Sequence, residues 1–251
     1  MRIKFVCLNL WEGGKLFDEI IEFLKVENAD ILALQEVHHS TDPSLEKRWR
    51  SIELIQKELG YADYHFAPAF VFHDAPDKTK SGNAVFSRFP IVSAKDAFFD
   101  IPYDDNFLNI PDKYPFTPRN IEHVVIDANG IELNVFNTQG IWGWDGEDND
   151  RRLKMGDVIA DSVKDKKNVI LAGDFNVKED TKTMQKVETL LKNVFKGERT
   201  TSFNMKRKLG GHFGEAVVDM LFVSPNIKVL EHRCPDVDVS DHLPLTALLE
   251  L

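Results

Sequence analysis

The 251-residue chain has 43% hydrophobic and 29% charged residues, which is the composition of a globular protein with a large core. Its formal net charge of −10 argues against tight, non-specific binding to DNA, which usually requires a basic surface. No apolar run is long enough to cross a bilayer and the apolar N-terminal stretch lacks a cleavage site, so we expect a cytoplasmic protein with no stable membrane insertion.

The spacing of apolar residues predicts short strands and amphipathic helices along the whole chain. In chain order, the predicted elements are strand 3–10, helix 15–26, strand 31–34, helix 45–59, an irregular segment 65–82, strand 84–86, an irregular segment 96–119, strands 121–126 and 131–136, strand 169–172, helix 184–194, and strands 217–223 and 245–249. The dipeptide Asn129-Gly130 supplies the positive φ angles of a tight hairpin turn. Since no repeat or Pro/Gly/Ser-rich linker interrupts the pattern, we predict one domain over 1–251 that acts as a monomer.

Five segments share one pattern, in which an apolar stretch ends abruptly in one or two polar residues. They are Cys7-Leu8-Asn9-Leu10, Leu34-Gln35-Glu36-Val37, Ala172-Gly173-Asp174-Phe175-Asn176, Val218-Asp219-Met220 and Val239-Ser240-Asp241-His242. Desolvation disfavours an unpaired carboxylate at a buried strand end, so four acidic side chains placed in this way invite a cation. Hard oxygen ligands without a thiolate cluster favour Mg²⁺ or Mn²⁺ over Zn²⁺.

Each motif alone also has an ordinary structural explanation. Asn9 could be a satisfied core amide, and Gln35-Glu36 a turn or the start of a helix. Asp219 could form a buried ion pair with a lysine, and Asp241 could cap a helix beside a surface histidine. The occurrence of all five motifs across nearly the whole chain favours a metal-dependent site.

With these motifs, the chain resembles the endonuclease/exonuclease/phosphatase superfamily, the DNase I-like metal phosphoesterases. The resemblance runs from about residue 3 to residue 249 and rests on Leu8-Asn9, Leu34-Gln35-Glu36-Val37, Ser81-Gly82-Asn83-Ala84-Val85-Phe86-Ser87-Arg88-Phe89-Pro90, Gly173-Asp174-Phe175-Asn176, Val218-Asp219-Met220-Leu221-Phe222-Val223-Ser224 and Ser240-Asp241-His242. It implies an α/β (α+β) fold, a four-layer α/β/β/α sandwich with two mostly antiparallel sheets face to face and helices outside.

The resemblance also implies the metal site and the groups that act on water. Glu36 would bind Mg²⁺ or Mn²⁺ directly, with Asn9 beside it and Asp241 as a further acidic ligand. Asp174 would orient or deprotonate the attacking water, while Asn176 would hold the phosphate and the nucleophile in line. These roles suit phosphoryl chemistry, which mainly needs charge neutralisation and in-line positioning.

The remaining implied roles concern the phosphoryl and leaving groups. Asp219 would be a second acidic group near the metal or the leaving oxygen, and His242 would donate to a phosphoryl oxygen. Asp241 would fix the ring of His242. Arg119, at a position where relatives often carry a phosphate-contacting arginine, is expected to bind substrate, with a surface salt bridge as the alternative.

Gln139 is a departure from the family pattern. Many relatives have a histidine in an Asn-Thr-His-Leu segment, whereas this chain reads Asn137-Thr138-Gln139-Gly140. We expect Gln139 to donate to the substrate phosphate, but a neutral amide cannot exchange a proton. The alternative is that Gln139 only hydrogen-bonds a strand end.

Other polar and aromatic clusters have open interpretations. Trp142 and Trp144 could stack on a base or a sugar, although packing over the core is commoner. Arg151 and Arg152 begin a helix, and we expect a solvated or structural role for them. The basic cluster Lys206-Arg207-Lys208, next to Gly210-Gly211, is expected to be solvated unless the substrate is a polyanion.

We therefore predict an Mg²⁺- or Mn²⁺-dependent phosphoric ester hydrolase whose substrate is a phosphodiester or phosphomonoester, nucleic acid in the first place. A phosphorylated lipid or inositol head group, or another small phosphoester, is the alternative. A membrane-acting enzyme would need an exposed apolar hairpin, for which Phe98-Phe99 and Phe107-Leu108 are the candidates. A third possibility is a binding module with an inactive site, and the intact acidic motifs argue against it.

Overall fold

The computed structural model describes residues 1–72, 75, 77–208 and 215–251. Its strands within these residues are β1 (Arg2–Asn9), β2 (Ile31–His39), β3 (Asp63–Phe72), β4 (Thr79–Ser87), β5 (Ile91–Phe98), β6 (Asn120–Ala128), β7 (Ile131–Gln139), β8 (Val169–Asp174), β9 (Lys192–Asn193), β10 (Asp219–Val223), β11 (Lys228–Arg233) and β12 (Leu245–Glu250). The α helices of the same part of the chain are α1 (Phe17–Glu27), α2 (Ser51–Leu59), α3 (Asp150–Val163) and α4 (Lys182–Glu188).

The strands form two six-stranded sheets with similar internal order. The first sheet has the order β11-β12-β1-β2-β4-β3, and the second has the order β5-β6-β7-β8-β10-β9. Each sheet holds one parallel pair near its centre, β1 with β2 and β7 with β8, among antiparallel neighbours. The predicted mostly antiparallel sheets are therefore confirmed.

Alternating side chains along the central strands produce the layers. In β1, Phe5 lies in the core between the two sheets, whereas Val6 packs in the cluster formed with α1 and α2. In β8, Ile170 faces the inter-sheet core and Leu171 packs in the cluster formed with α3 and α4. Both sheets are apolar on both faces, and this confirms the four-layer α/β/β/α sandwich.

The edges of the first sheet differ from the prediction. The segment 65–82 was expected to be irregular, but most of β3 and part of β4 lie there. Pro68 is tolerated because β3 is an edge strand whose register shifts between Pro68 and Phe70. The segment 96–119 is irregular apart from the end of β5 and a 3₁₀ helix at Pro111–Phe116.

Two predicted helices have different limits in the structure. The helix expected at 45–59 begins with a 3₁₀ turn at Lys47–Arg50 before α2. The helix expected at 184–194 ends at Glu188, and Lys192–Asn193 pairs with β10 instead. The buried residues of the turn that follows Glu188 happen to keep the spacing of a helix. The predicted helix was too long for this reason.

A polar network lies between the sheets, beneath the ends of β2 and β7. Gln35 Nε2 donates to Asn137 Oδ1 at 2.6 Å, and Asn137 Nδ2 donates to Glu122 Oε2 at 3.0 Å. Glu122 is fully buried, and burial together with the charge of Asp96 raises the pKa of its carboxyl well above its usual value. The network links the two sheets, and Asn137 Nδ2 also donates to the Leu34 and Ala84 carbonyl oxygens of the first sheet.

The raised pKa of Glu122 leads to a stability prediction. The folded state holds this proton more tightly than the unfolded state, whose carboxyl has a pKa near 4.5. The contribution to stability is therefore present below pH 4.5 and is lost as the pH rises through the folded-state pKa. We expect Glu122→Gln to raise the free energy of unfolding at pH 7 to 8, and to have little effect near pH 4, in urea titrations.

Glu27 offers the matched control for that experiment. It is also buried, but Lys4 and Arg233 each lie 3.0 Å from its carboxylate. Glu27→Gln leaves these cations without their partner, so we expect it to lower stability at neutral pH. A Glu122→Gln variant that is destabilised as much as Glu27→Gln would show that Glu122 is ionised in the folded protein.

Candidate active site

The polar residues predicted from the five motifs meet at one end of the sandwich. The first sheet contributes Asn9 at the end of β1 and Glu36 near the end of β2. The second sheet contributes Gln139 and Asp174, which are register partners at the ends of β7 and β8, and Asp219, which lies opposite Asp174 at the start of β10. Strand ends of two facing sheets therefore bring these side chains together.

Glu36 is directed into the site by a bulge in β2. The register between β2 and β4 shifts between Leu34 and Val37, and Glu36 has a φ of 54°, which non-glycine residues adopt at a cost. Its carboxylate accepts hydrogen bonds from the Glu12 amide at 2.7 Å, from Gln139 Nε2 at 2.8 Å and from Asn9 Nδ2 at 3.1 Å. Burial opposes the charge, but the Glu12 amide and the charge of Arg119 hold the pKa of Glu36 below its usual value.

A left-handed turn after β1 holds the Glu12 amide in place. Trp11, Glu12, Gly13 and Gly14 all have positive φ angles, and Asn9 Oδ1 accepts from the Trp11 amide at 3.0 Å. A Cβ on Gly13 would lie 2.3 Å from His38 Nδ1 and 2.2 Å from the Arg48 carbonyl oxygen. Glycine is therefore required where this turn packs against β2.

Asp174 lies at the centre of the cluster. It is buried and accepts from Asn9 Nδ2 at 3.1 Å and from the Asn176 amide at 3.0 Å. Asn176 has a φ of 55°, and its side chain reaches both Asp174 and the Gly140 carbonyl oxygen. Burial raises the pKa of Asp174 to about 6, with a further contribution from Asp219. A buried carboxylate with this pKa can accept a proton near neutral pH.

His242 is paired with Asp219. Its Nδ1 lies 2.8 Å from Asp219 Oδ2, which also accepts from the Ser202 hydroxyl at 2.6 Å. Burial lowers the pKa of His242, but the carboxylates of Asp219 and Asp174 outweigh it and raise the pKa to about 10. The imidazole is therefore a cation at neutral pH and is held for donation from Nε2.

The expectation that Asp241 fixes the His242 ring is wrong. The partner of the His242 Nδ1 atom is Asp219 instead, because β10 brings the Asp219 carboxylate within hydrogen-bond distance of this ring. Asp241 lies 3.3 Å from the Ser240 hydroxyl and faces the open cavity. Ser240 also donates to the Asn9 carbonyl oxygen at 2.7 Å, a contact that spans 231 residues of the chain.

The carboxylates fall into two groups with different electrostatic surroundings. Asp174, Asp219 and His242 offer ligand atoms within 4.8 Å of one another, and the His242 cation balances charge within this group. Glu36 and Asp241 line the cavity, and burial together with the Glu36 charge raises the pKa of Asp241. The two acidic side chains that line one cavity fit a hard divalent cation, and Asn9 turns its NH₂ group to Glu36.

A cavity of about 200 Å³ opens beside this cluster. Glu36, Arg119, Gln139 and Asp241 line its acidic end, where Arg119 donates a hydrogen bond to Gln139 Oε1. Gln139 thus lies between Glu36 and Arg119. The half-buried Trp142 and further aromatic residues also line the cavity.

Several other residues have structural contacts. Arg152 is fully buried and donates to the carbonyl oxygens of Ile141 at 3.1 Å and Asn176 at 2.9 Å, which confirms a structural role and supports the Asn176 loop. Arg151 forms an ion pair with Asp100.

The basic cluster and the apolar hairpin also have internal partners. Arg207 binds Asp238 with both of its guanidinium contacts at 2.7 Å, and Lys208 lies over the Phe203 ring, while Gly210-Gly211 falls outside the described residues. Of the residues suggested for an exposed apolar hairpin, Phe99 and Phe107 are buried and Phe98 is half-buried, so the suggestion is wrong there, whereas Leu108 is exposed. In the described part of the chain no helix has the length and apolar character needed to span a membrane.

Sequence reasoning missed His38 and Ser202 as residues that line or support the site. Neither residue type nor spacing distinguishes them, because their importance depends on which strands pack against them. The left-handed turn at 11–14 had a signal in Gly13-Gly14, next to Asn9.

A model of the Endonuclease/Exonuclease/phosphatase family matches residues 7–242. No curated protein matches the sequence.

Solved structures share the fold at low identity. An endonuclease/exonuclease/phosphatase from Beutenbergia cavernae superposes with a TM-score of 0.77 at 18% identity, covering 100% of this chain and 72% of that one. A mannosyl-6-phosphatase from Bacteroides thetaiotaomicron has a TM-score of 0.69 at 18% identity, covering 99% and 100%. TDP2 from D. rerio, complexed with a single-strand DNA product, has a TM-score of 0.71 at 14% identity, covering 100% and 99%.

Proposed function

The chain belongs to the endonuclease/exonuclease/phosphatase family, and from this we propose that it hydrolyses phosphoester bonds with a bound Mg²⁺ or Mn²⁺. The observation that carries the proposal is the buried group of Asp174, Asp219 and His242 beside the cavity lined by Glu36 and Asp241. It combines a carboxylate able to accept a proton with a fixed cationic donor. Hydrolysis of a phosphoester needs both.

The roles of the buried residues follow from their contacts. Asp174 accepts a proton from the attacking water, because its pKa of about 6 leaves it ionised at neutral pH. Asn176 positions that water and the phosphate, since its amide is fixed on Asp174 and Gly140. His242, held by Asp219, donates through Nε2 to a phosphoryl oxygen and stabilises the charge that develops there.

Glu36 and Asp241 are the residues we propose to hold the metal, with Asn9 beside Glu36. When bound, Mg²⁺ or Mn²⁺ supplies charge neutralisation at the phosphoryl and leaving oxygens. Oxygen ligands without a cysteine support these metals over Zn²⁺. The hydrogen bonds from Asn9, Gln139 and the Glu12 amide keep Glu36 ionised and oriented for this task.

Arg119 and Gln139 are proposed to bind the substrate phosphate. Arg119 is the charged donor at the acidic end of the cavity, and Gln139 is fixed between it and Glu36. Because Gln139 cannot supply a proton to a leaving alkoxide, substrates with good leaving groups should react faster than alkyl esters by a wider margin than in histidine-bearing relatives.

Gln139→His is expected to narrow this margin. The imidazole introduces a group that can protonate a poor leaving group, so kcat for an alkyl phosphodiester should rise relative to kcat for an aryl phosphodiester. The measurement is the ratio of the two rates on a matched pair of substrates. An unchanged ratio in both Gln139→His and Gln139→Ala would remove Gln139 from the reaction.

For the substrate, the sequence predicts nucleic acid, with a small phosphoester as the alternative. The charge distribution supports the alternative: Arg207 and Arg151 are engaged with acidic partners, and binding to a polynucleotide backbone needs cations available for many phosphates. The mannosyl-6-phosphatase neighbour supports a phosphomonoester of this kind. TDP2 with its single-strand DNA product supports nucleic acid as the substrate.

A substrate panel with Mg²⁺, Mn²⁺ or EDTA tests the proposal. It should contain plain and abasic DNA, RNA, 5′-blocked ends, phosphoinositides, sugar phosphates and aryl phosphates. We expect turnover of at least one class with metal and none in EDTA. Full activity in excess EDTA after dialysis contradicts the metal dependence.

A further inference from the structure

A second cavity lies on the outer face of the second sheet, between strands β5 and β6 and helix α3. We define it, as the β5–α3 groove, by the residues Lys95, Ala97, His123, Val158, Asp161 and Lys166. Its volume of about 410 Å³ exceeds that of the active-site cavity and lies within the ~300–1,000 Å³ of pockets that bind small organic molecules. The proposed reaction uses none of these six residues.

The pairing of β5 with β6 explains why the groove has an apolar wall. Ala97 and Ile121 are register partners, and so are Lys95 and His123. Because side chains alternate along a strand, these four lie on the same face of the sheet, and Ile121 packs in the cluster formed with α3. Ala97 and Val158 pack on this cluster but stay half-buried, so apolar surface remains for a ligand.

His123 adds a rigid, uncharged ring to this wall. It is half-buried and stacks on Phe136 with ring centroids 4.1 Å apart and planes 4° from parallel. Its Nε2 lies 2.9 Å from Asn134 Oδ1, which faces the ring because Asn134 Nδ2 donates to the Lys167 carbonyl oxygen. Burial lowers the pKa of His123, so the ring is neutral at pH 7.

Two exposed lysines border the apolar wall. Lys95 and Lys166 have no ion-pair partner among the described residues, and both charges act on the His123 ring and lower its pKa further. The acidic residue of the groove, Asp161, is already paired with Lys164 at 2.6 Å. In a chain of net charge −10, the groove therefore has a local excess of positive charge, which favours an anion.

The end of α3 limits the charge of that anion. Val163, the last residue of α3, follows Asp161 and precedes Lys166 in the chain. The carboxyl end of a helix carries partial negative charge, and it repels a dianion more than a monoanion. The two lysines are point charges and lack the fork with which an arginine binds two phosphate oxygens. A single carboxylate therefore fits this end of the groove better than a phosphate ester.

We propose that the β5–α3 groove binds a monocarboxylate with an apolar body, either a medium-length acyl chain or one aromatic ring. The carboxylate lies near Lys95 and Lys166, and the apolar body packs against Ala97, His123 and Val158. This site is separate from the phosphoesterase reaction, so the binding is expected whether or not that reaction is confirmed.

The first test follows the methyl NMR signals of Ala97 and Val158 in the metal-free protein. Octanoate and phenylpropionate represent the two kinds of body, whereas octanamide lacks the charge, acetate lacks the body, and octyl phosphate carries a second charge. We expect one of the two carboxylates to shift both methyl signals saturably, with a Kd lower by about fivefold or more than that of the three comparison compounds. Added salt should weaken this binding, because the lysines are exposed. A smaller preference, tighter binding of octyl phosphate, or no saturable shift overturns the proposal.

The second test removes the two lysine charges. Lys95→Gln combined with Lys166→Gln is compared with Lys57→Gln combined with Lys192→Gln, which removes two exposed lysines that also lack an ion-pair partner in the described part of the chain. We expect the groove variant to raise the Kd of the carboxylate about fivefold or more, and the control variant to change it less than about twofold. Equal effects show attraction by net charge alone and overturn the assignment to the groove.

The third test fills the groove and keeps its charges. Ala97→Phe places a ring in the apolar wall, and Ala94→Phe is the matched control, because Ala94 is an exposed residue on the other face of β5. With Val158 as the NMR probe, we expect Ala97→Phe to abolish saturable binding and Ala94→Phe to leave it unchanged. Unchanged binding in a folded Ala97→Phe protein overturns the location. If Ala97→Phe does not fold, the two pairs of lysine variants decide.

Discussion

Asp174→Asn is expected to lower kcat by on the order of 10²-fold or more, the scale observed when a general base is removed. The amide keeps the size of the side chain but cannot accept a proton from water. Its one remaining oxygen can accept from Asn9 or from the Asn176 amide but not from both, and no residue proposed to bind the substrate is itself altered, so substrate binding should change less than turnover. Steady-state kinetics that separate kcat from KM provide the measurement.

The same variant has an expected effect on stability with a definite sign. Burial raises the pKa of Asp174 from 3.8 to about 6, so its contribution to folding is present below pH 3.8 and is lost as the pH rises through 6. Without metal, Asp174→Asn should therefore be at least as stable as the parent at pH 7 to 8. An unfolded variant that is inactive for that reason alone would contradict the catalytic assignment.

His242→Ala should cause a loss of similar size, because it removes the fixed cationic donor. It also leaves Asp219 without its partner at 2.8 Å, although Ser202 still donates to that carboxylate. In the parent, kcat/KM should rise with pH up to about 6 or below, since a bound cation lowers the pKa of Asp174, and should fall near pH 10 as His242 loses its proton. The alkaline limb should disappear in His242→Ala.

Glu36→Gln is expected to abolish most of the metal-dependent activity, by on the order of 10²-fold or more. The carboxylate loses its charge, and Asp241 alone should hold Mg²⁺ or Mn²⁺ weakly. Three donors converge on Glu36, from Asn9, Gln139 and the Glu12 amide, so the amide of glutamine meets at least one of them unfavourably. A modest drop in melting temperature is therefore part of the expected result.

Metal binding gives a readout for Glu36 that does not depend on turnover. Mn²⁺ should raise the melting temperature of the parent protein, because a ligand that binds only the folded state stabilises it. The rise should be lost in Glu36→Gln and retained in Glu27→Gln, which changes a buried carboxylate outside the site. An equal Mn²⁺ shift in all three proteins would place the metal elsewhere.

The sequence identified the residues that meet at the strand ends, because abrupt changes from apolar to polar residues are visible without a structure. Asn9, Glu36, Asp174 and Asp219 are all of this kind. It misassigned the partner of His242, because the choice between Asp219 and Asp241 depends on how β10 packs against the segment that carries His242. Adjacent sequence position suggested Asp241, and spatial packing selects Asp219.

His38 shows a second limit of sequence reasoning. It follows Glu36 by two residues, but no pattern distinguishes it from His39, which packs outside the cavity. The bulge that gives Glu36 its left-handed backbone also determines which of the two histidines faces the cavity. Edge strands β3 and β11 were missed for a related reason, since partly exposed strands lack the continuous apolar runs of central ones.

The hydrogen bond from Ser240 to Asn9, across 231 residues, has a consequence for biosynthesis. Strand β1 is synthesised before β12. The edge of β1 that pairs with β12 therefore has no hydrogen-bond partner until β12 has been translated. Contacts of such separation in sequence form slowly, and an open β1 edge is a site for aggregation on the ribosome. Because His242, the proposed donor, belongs to the same late segment, we expect activity to appear only after β12 has paired with β1.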